Sequence, residues 1–124
     1  MSKKLVFIAM TLMLGAAPAM AQNAVCIEPA MPTAVDGKTA NHDQMLAAIS
    51  QTKDFIAKSD VYQQCSADDL EAKKAAAAKA GTPFDEQVHT VAMAKVAANQ
   101  QAKDKLVADT NAAVGLYKQQ TASK

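Results

Sequence analysis

The chain has 124 residues, half of them hydrophobic, with 13 lysines, 12 acidic residues and no arginine. The small formal charge of +1 and the absence of arginine argue against nucleic-acid binding, which depends on basic patches and on bidentate arginine contacts to bases. The length suits one small domain.

Residues 1–21 have the composition of a secretory signal peptide: a pair of lysines, an uncharged stretch over 5–17, and then small residues. The uncharged stretch is too short for a stable membrane span, which takes about 20 apolar residues. We therefore expect cleavage, with no membrane span afterwards. The small residues before the predicted cleavage site are Ala19 and Ala21, and the mature domain, 22–124, begins at Gln22.

Cleavage would change what the composition says. It removes two lysines, which leaves eleven against twelve acidic residues and a formal charge of −1. It also removes four of the seven methionines, so the apparent richness in methionine belongs to the signal peptide. The predicted location of the mature protein is the periplasm or the exterior of the cell.

Both cysteines, Cys26 and Cys65, belong to the mature chain, and an even pair in an oxidising compartment predicts a disulfide. Lipidation of Cys26 is an alternative, but the preceding residues 23–25 lack the expected pattern. A redox pair is another, but the Cys-x-x-Cys spacing is absent. A bridge closing a loop of this length would stabilise the fold by roughly 4 kcal/mol if chain entropy dominates.

Residues 22–40 are predicted to form an extended strap, because two prolines and an Asp-Gly turn signal interrupt any helical pattern. A first helix is predicted over 41–80. Asn41 and Gln44 have the spacing of a capping box at its start.

Helix one carries an apolar stripe that three polar residues dilute, with a second column beside it. We prefer one continuous helix, and the alternative is a three-helix bundle with a break at Cys65-Ser66. The stripe contains Met45, Ile49, Ile56 and Leu70, diluted by Thr52, Ser59 and Gln63, and the second column contains Ala48, Phe55 and Tyr62.

Gly81, Thr82 and Pro83 predict a corner, with glycine after the first helix, threonine as the next N-cap and proline in the first turn. A second helix is predicted over 83–120. Its apolar residues form a wide sector, broader than helix one can cover. They are Phe84, Val88, Val91, Ala98, Ala102, Leu106, Ala113 and Leu116 on one face, with Val96, Val107 and Val114 on a flanking edge.

Two helices of similar length joined by a short corner predict an antiparallel, coiled-coil-like hairpin in which residue i lies opposite about 163 − i. The fold class is therefore all-α, with the strap running back along helix one from the disulfide. The predicted pairs are Ile49 with Val114, Ile56 with Val107, Leu70 with Met93, and Met45 with Tyr117, while the strap offers Ile27, Pro29, Met31 and Pro32 to the second column.

Short motifs occur across the mature chain: Cys26-x-x-Pro29-x-x-Pro32, Asp36-Gly37 and Tyr62-x-x-Cys65, with a further one at 111–117. Together these motifs resemble those of a group of small exported proteins of Gram-negative bacteria that have no established activity. The resemblance implies a periplasmic location and a helical fold, and it supplies no catalytic residues.

No metal site is predicted. His42 precedes Met45 by three residues and His89 precedes Met93 by four, and sulfur with imidazole could hold copper. The hairpin would separate the two pairs widely, which leaves only two ligands at each place.

No catalytic residue and no cofactor are predicted either, because the mature serines lack an obvious partner base. The carboxylates of Asp68, Asp69 and Glu71 lie beside lysines, a pattern typical of a solvated helix face.

The resulting expectation is a non-enzymatic envelope protein with a structural or protein-interaction role, through self-association or an unknown envelope partner. A holdase-like chaperone or an inhibitor of an envelope enzyme is the alternative.

Overall fold

The computed structural model describes residues 25–124, so the predicted signal peptide, its cleavage site at Ala19, Ala21 and Gln22, and the first residues of the strap lie outside the described part. The described residues form two helices, α1 (His42–Ala80) and α2 (Glu86–Ala122), and no strand. The predicted all-α hairpin with a strap is confirmed.

Helix α1 is continuous through Cys65 and Ser66, so the three-helix alternative is wrong. Ser66 does not cap a new helix, because its hydroxyl donates to the carbonyl oxygen of Tyr62 within the same helix, at 2.9 Å. The predicted capping box is present. The backbone N–H of Gln44 donates to Asn41 Oδ1 at 2.9 Å, and the backbone N–H of Asn41 donates to Gln44 Oε1 at 2.8 Å.

The corner between the helices differs from the prediction in where the second helix begins: α2 starts at Glu86, not at Pro83. Gly81 has the expected left-handed conformation, with φ of 66°, and ends α1. Thr82 belongs to that ending, since its amide donates to the carbonyl of Ala77 at 3.0 Å. The N-cap of α2 is instead Asp85, whose carboxylate accepts from the Gln87 amide at 2.9 Å, so the predicted cap at Thr82 is wrong.

Contacts between the helices establish their antiparallel register. Gln63 Nε2 donates to Asn99 Oδ1 at 2.9 Å and approaches Gln100 Oε1 at 3.3 Å. The ammonium of Lys103 pairs with the carboxylate of Asp60. The predicted pairing places residue 63 opposite 100 and residue 60 opposite 103, so the observed register is within one residue of it.

The best-packed apolar cluster lies at the open end of the hairpin, where the chain enters α1 and leaves α2. Burying it there removes side chains of the strap and both helices from water together. Its buried members are Ala40, Met45 and Ala113, with Val35, Val114 and Tyr117 packed against them.

The strap makes its closest approach to α2 in the turn that precedes α1. A Cβ atom at Gly37 would lie 1.9 Å from the carbonyl oxygen of Ala113, so this approach requires glycine. The side-chain amide of Gln120 donates to the carbonyl oxygens of Gly37 at 3.1 Å and of Ala40 at 3.3 Å. These contacts fasten the strap to the last turn of α2.

Candidate functional surfaces around the disulfide

The disulfide joins the strap to the middle of α1. Cys26 and Cys65 are bonded, their Cα atoms are 5.6 Å apart, and both residues are half-buried. The bridge predicted from the cysteine pair is thus present, and it fixes the path of the strap along one side of α1.

The strap faces the hairpin once every three residues. Cys26, Pro29, Pro32 and Val35 are half-buried, while the residues between them are exposed. A repeat of three is the period of a polyproline II helix, the conformation that proline favours. The Cys-x-x-Pro-x-x-Pro motif therefore consists of the strap side chains that face the hairpin.

This period corrects the predicted contacts of the strap. Pro29 and Pro32 line a groove with Phe55 of α1, as expected. Met31, predicted as a core partner, is exposed, and Ile27 lines the same groove but remains 80 % exposed. The alternation by two that would bury Ile27, Pro29 and Met31 together does not apply to a chain with a period of three.

Three exposed aliphatic residues flank the disulfide, and we call them the aliphatic patch: Val25, Ile27 and Val61 are 85, 80 and 71 % exposed. Val25 and Ile27 are the neighbours of Cys26 in the strap. Val61 lies one helical turn before Cys65 on the same face of α1. The bridge therefore brings the two strap residues close to the face of α1 that carries Val61.

An open groove of about 400 Å³ lies beyond the bridge, between α1 and α2, and we call it the inter-helix groove. Lys73 at its edge pairs with Asp69 at 2.6 Å. Lys95, on α2, has no ionic partner within residues 25–124. The groove is lined by Cys26, Tyr62, Ser66, Asp69, Lys73, Gln87, Val88, Val91, Ala92 and Lys95.

Polar residues occupy the centre of the interface between the helices. Ser59 and Asn99 are fully buried, and the Asn99 amide donates to Ser59 Oγ at 3.2 Å. The hydroxyls of Thr52 and Thr110 are 2.7 Å apart across the interface. The polar residues that interrupt the apolar stripe of α1 are therefore paired with polar residues of α2.

The wide apolar sector of α2 is more covered than predicted. Val96, Val107 and Val114 are half-buried, because Val114 packs at the open end and the others lie beside α1. The exposed aliphatic side chains of α2 lie nearer its start, at Val91 and Met93.

The two histidine–methionine pairs lie at opposite ends of the hairpin. Met45 is buried in the apolar cluster, and Met93 is exposed. His42 begins α1 at the open end, whereas His89 lies in the second turn of α2 near the corner. No group of three or more histidine, cysteine or acidic residues within 25–124 is placed to hold a metal ion.

The acidic cluster of α1 has the local partners that a solvated face provides. Asp69 pairs with Lys73, Glu71 pairs with Lys74 at 3.3 Å, and Asp68 accepts from a glutamine amide. These are pairs between successive helical turns, each worth a few tenths of a kcal/mol.

Neither helix in the described range is long and apolar enough to cross a membrane. No protein-family model, no curated protein and no solved structure matches the chain.

Proposed function

We propose that the protein is a non-enzymatic component of the cell envelope, exported to the periplasm or secreted, whose hairpin makes protein–protein contacts through the aliphatic patch. The observation that carries this proposal is the exposure of Val25, Ile27 and Val61 beside the disulfide. Single exposed aliphatic residues are ordinary, but a group of them marks an interaction surface.

The disulfide gives the patch its significance. A strap that was free to move could turn its aliphatic side chains toward the hairpin and remove them from water. The bond between Cys26 and Cys65 prevents this for the neighbours of Cys26, while Pro29 and Pro32 stay against α1. Each Å² of this apolar surface that a partner removed from water would contribute about 25 cal/mol to the free energy of binding.

Light scattering and crosslinking test the proposal on the oxidised chain from Gln22 to Lys124, which contains every described element. We expect either a concentration-dependent oligomer or a specific partner crosslinked in envelope extract. Val61→Ser should weaken that association severalfold. Leu46→Ser is the matched control, because Leu46 is also exposed on α1 but lies far from the patch.

The proposal would be wrong if the chain stayed monomeric at every concentration and no partner depended on Val61. Equal weakening by Leu46→Ser would also contradict it, since the patch would then have no special role.

A holdase-like role is the second candidate, and it is favoured by apolar side chains exposed far from the patch. Leu46, Val91 and Met93 spread this surface along the whole hairpin. Such a protein would suppress the aggregation of a heated model enzyme, and several of these residues would contribute similarly. Dependence on Val61 alone would favour the specific interaction instead.

A further inference from the structure

The inter-helix groove continues the surface that the strap already occupies. Ala48, Phe55, Tyr62 and Asp69 follow one another at intervals of seven along one side of α1. Phe55 lines a groove with Pro29 and Pro32 of the strap, and Tyr62 and Asp69 line the inter-helix groove. Cys26, which also lines the inter-helix groove, belongs to the strap. The strap and the inter-helix groove therefore lie along one side of α1: the strap passes over the first part, and the second part is open in the described chain.

The open part has the length of a short extended segment. From Tyr62 to Lys73 it follows about 16 Å of α1, at 1.5 Å per residue. A polyproline II segment rises about 3.1 Å per residue, so about five residues span it. The volume of about 400 Å³ is open along one side, which leaves the backbone of such a segment accessible to water.

The chemistry of the groove also selects its occupant. Val88, Val91, Ala92 and the ring of Tyr62 provide an apolar floor with an aromatic residue, which is how proline-rich segments are usually bound. Lys95 adds a positive charge without an ionic partner in the described chain. Since Asp69 is already paired with Lys73, the charge that complements the groove is negative.

We propose that the inter-helix groove binds an extended, proline-containing segment of a partner protein, in which one carboxylate pairs with Lys95. The strap is the internal example of this binding mode, because Pro29 and Pro32 contact the same side of α1 at intervals of three. The inference rests on the protein-interaction role proposed above, but it uses a different surface from the aliphatic patch.

Fluorescence anisotropy with synthetic peptides tests this inference on the oxidised chain from Gln22. The probes are four labelled hexapeptides of the sequence Ala-Val-Pro-Ala-Val-Pro, each with aspartate at a different non-proline position. Matched sets carry asparagine or lysine at that position. We expect at least one aspartate peptide to bind, with its asparagine counterpart about fivefold weaker and its lysine counterpart weaker still.

Charge reversal at the groove provides the decisive comparison. Lys95→Glu should weaken the aspartate peptide at least tenfold and make the lysine peptide the better ligand. Lys105→Glu is the control, because Lys105 pairs with Asp109 on α2 and does not line the groove. It should leave both affinities unchanged. Circular dichroism would verify that both variants are helical.

The inference is overturned if no aspartate peptide binds, if the three sets bind alike, or if Lys95→Glu and Lys105→Glu act equally. Light scattering of the Lys95→Glu variant separates this failure from that of the proposed function. An association that depends on Val61 and persists in the Lys95→Glu variant would retain the patch while the groove proposal fails.

Discussion

The open end of the hairpin and its tip consist of the same two helices, yet only the open end has a core. At the open end, Met45 and Ala113 are buried under the strap. Beyond Leu70 in α1 and before Asn99 in α2, no described residue is buried. The described part of the strap, residues 25–40, meets α1 first at Cys65 and does not cover the tip. A helix pair alone buries one narrow stripe, and a third segment is needed to enclose it.

The largest expected effect comes from removing the bridge that holds the third segment. The double variant Cys26→Ser, Cys65→Ser should lose about 4 kcal/mol of unfolding free energy, since the bond closes a loop with a sequence separation of 39 residues. Urea unfolding under oxidising conditions would measure it. Hydrogen exchange should accelerate more at residues 42–62 than at the tip. Unchanged unfolding, or equal acceleration everywhere, would show that the strap does not support the open end.

The next largest effect is a difference in stability between two methionine-to-alanine variants, one at the open end and one near the tip. Met45 is 3 % exposed, and Met45→Ala should lower the free energy of unfolding by about 2–5 kcal/mol. Met93 is 47 % exposed, and Met93→Ala should lower the free energy of unfolding by less than about 1 kcal/mol. Both lie within helices, so the change in helix propensity is the same. Similar losses in urea unfolding would mean that the tip is covered in solution.

Two glycines give the smallest expected change and opposite signs. Gly37→Ala should destabilise the fold by about 1–3 kcal/mol, because the added methyl group would overlap the backbone of Ala113. Gly115→Ala should stabilise it by up to about 1 kcal/mol, since the position is helical and the space around it is open. Thermal unfolding of both variants would check the signs. A neutral Gly37→Ala would show that the strap turn does not pack against α2.

Local signals in the sequence were sufficient to predict most of the architecture. Asn41 with Gln44, and Gly81 at the end of α1, act through neighbours a few residues away, so their patterns can be read directly. The register followed from the position of the corner, because one short turn fixes which residues of two helices face each other.

The polar residues between the helices were harder to interpret, because their burial depends on distant neighbours. Thr52 and Ser59 looked like interruptions of the apolar stripe, because the residues that satisfy them, Thr110 and Asn99, lie on the other helix. Burial of a polar side chain cannot be judged without its partner.

The candidate surfaces were only partly predictable. The cysteine pair predicted the bridge, and the prolines predicted an extended strap. They did not predict its period of three, so the exposure of Ile27 and Met31 was missed. No local pattern marks Lys95 as a site residue, because its place in the inter-helix groove depends on how the two helices and Cys26 pack together.

The position of the disulfide has a consequence for how the protein is assembled as it emerges from N- to C-terminus. Both cysteines precede the corner at Gly81, so the covalent loop can close before α2 exists. By contrast, the contacts of the strap with Ala113 and Gln120 involve residues of α2, which emerge after the corner. The disulfide-bonded strap and α1 can thus form first. The packing of the strap is completed only when the last turns of α2 bind to it.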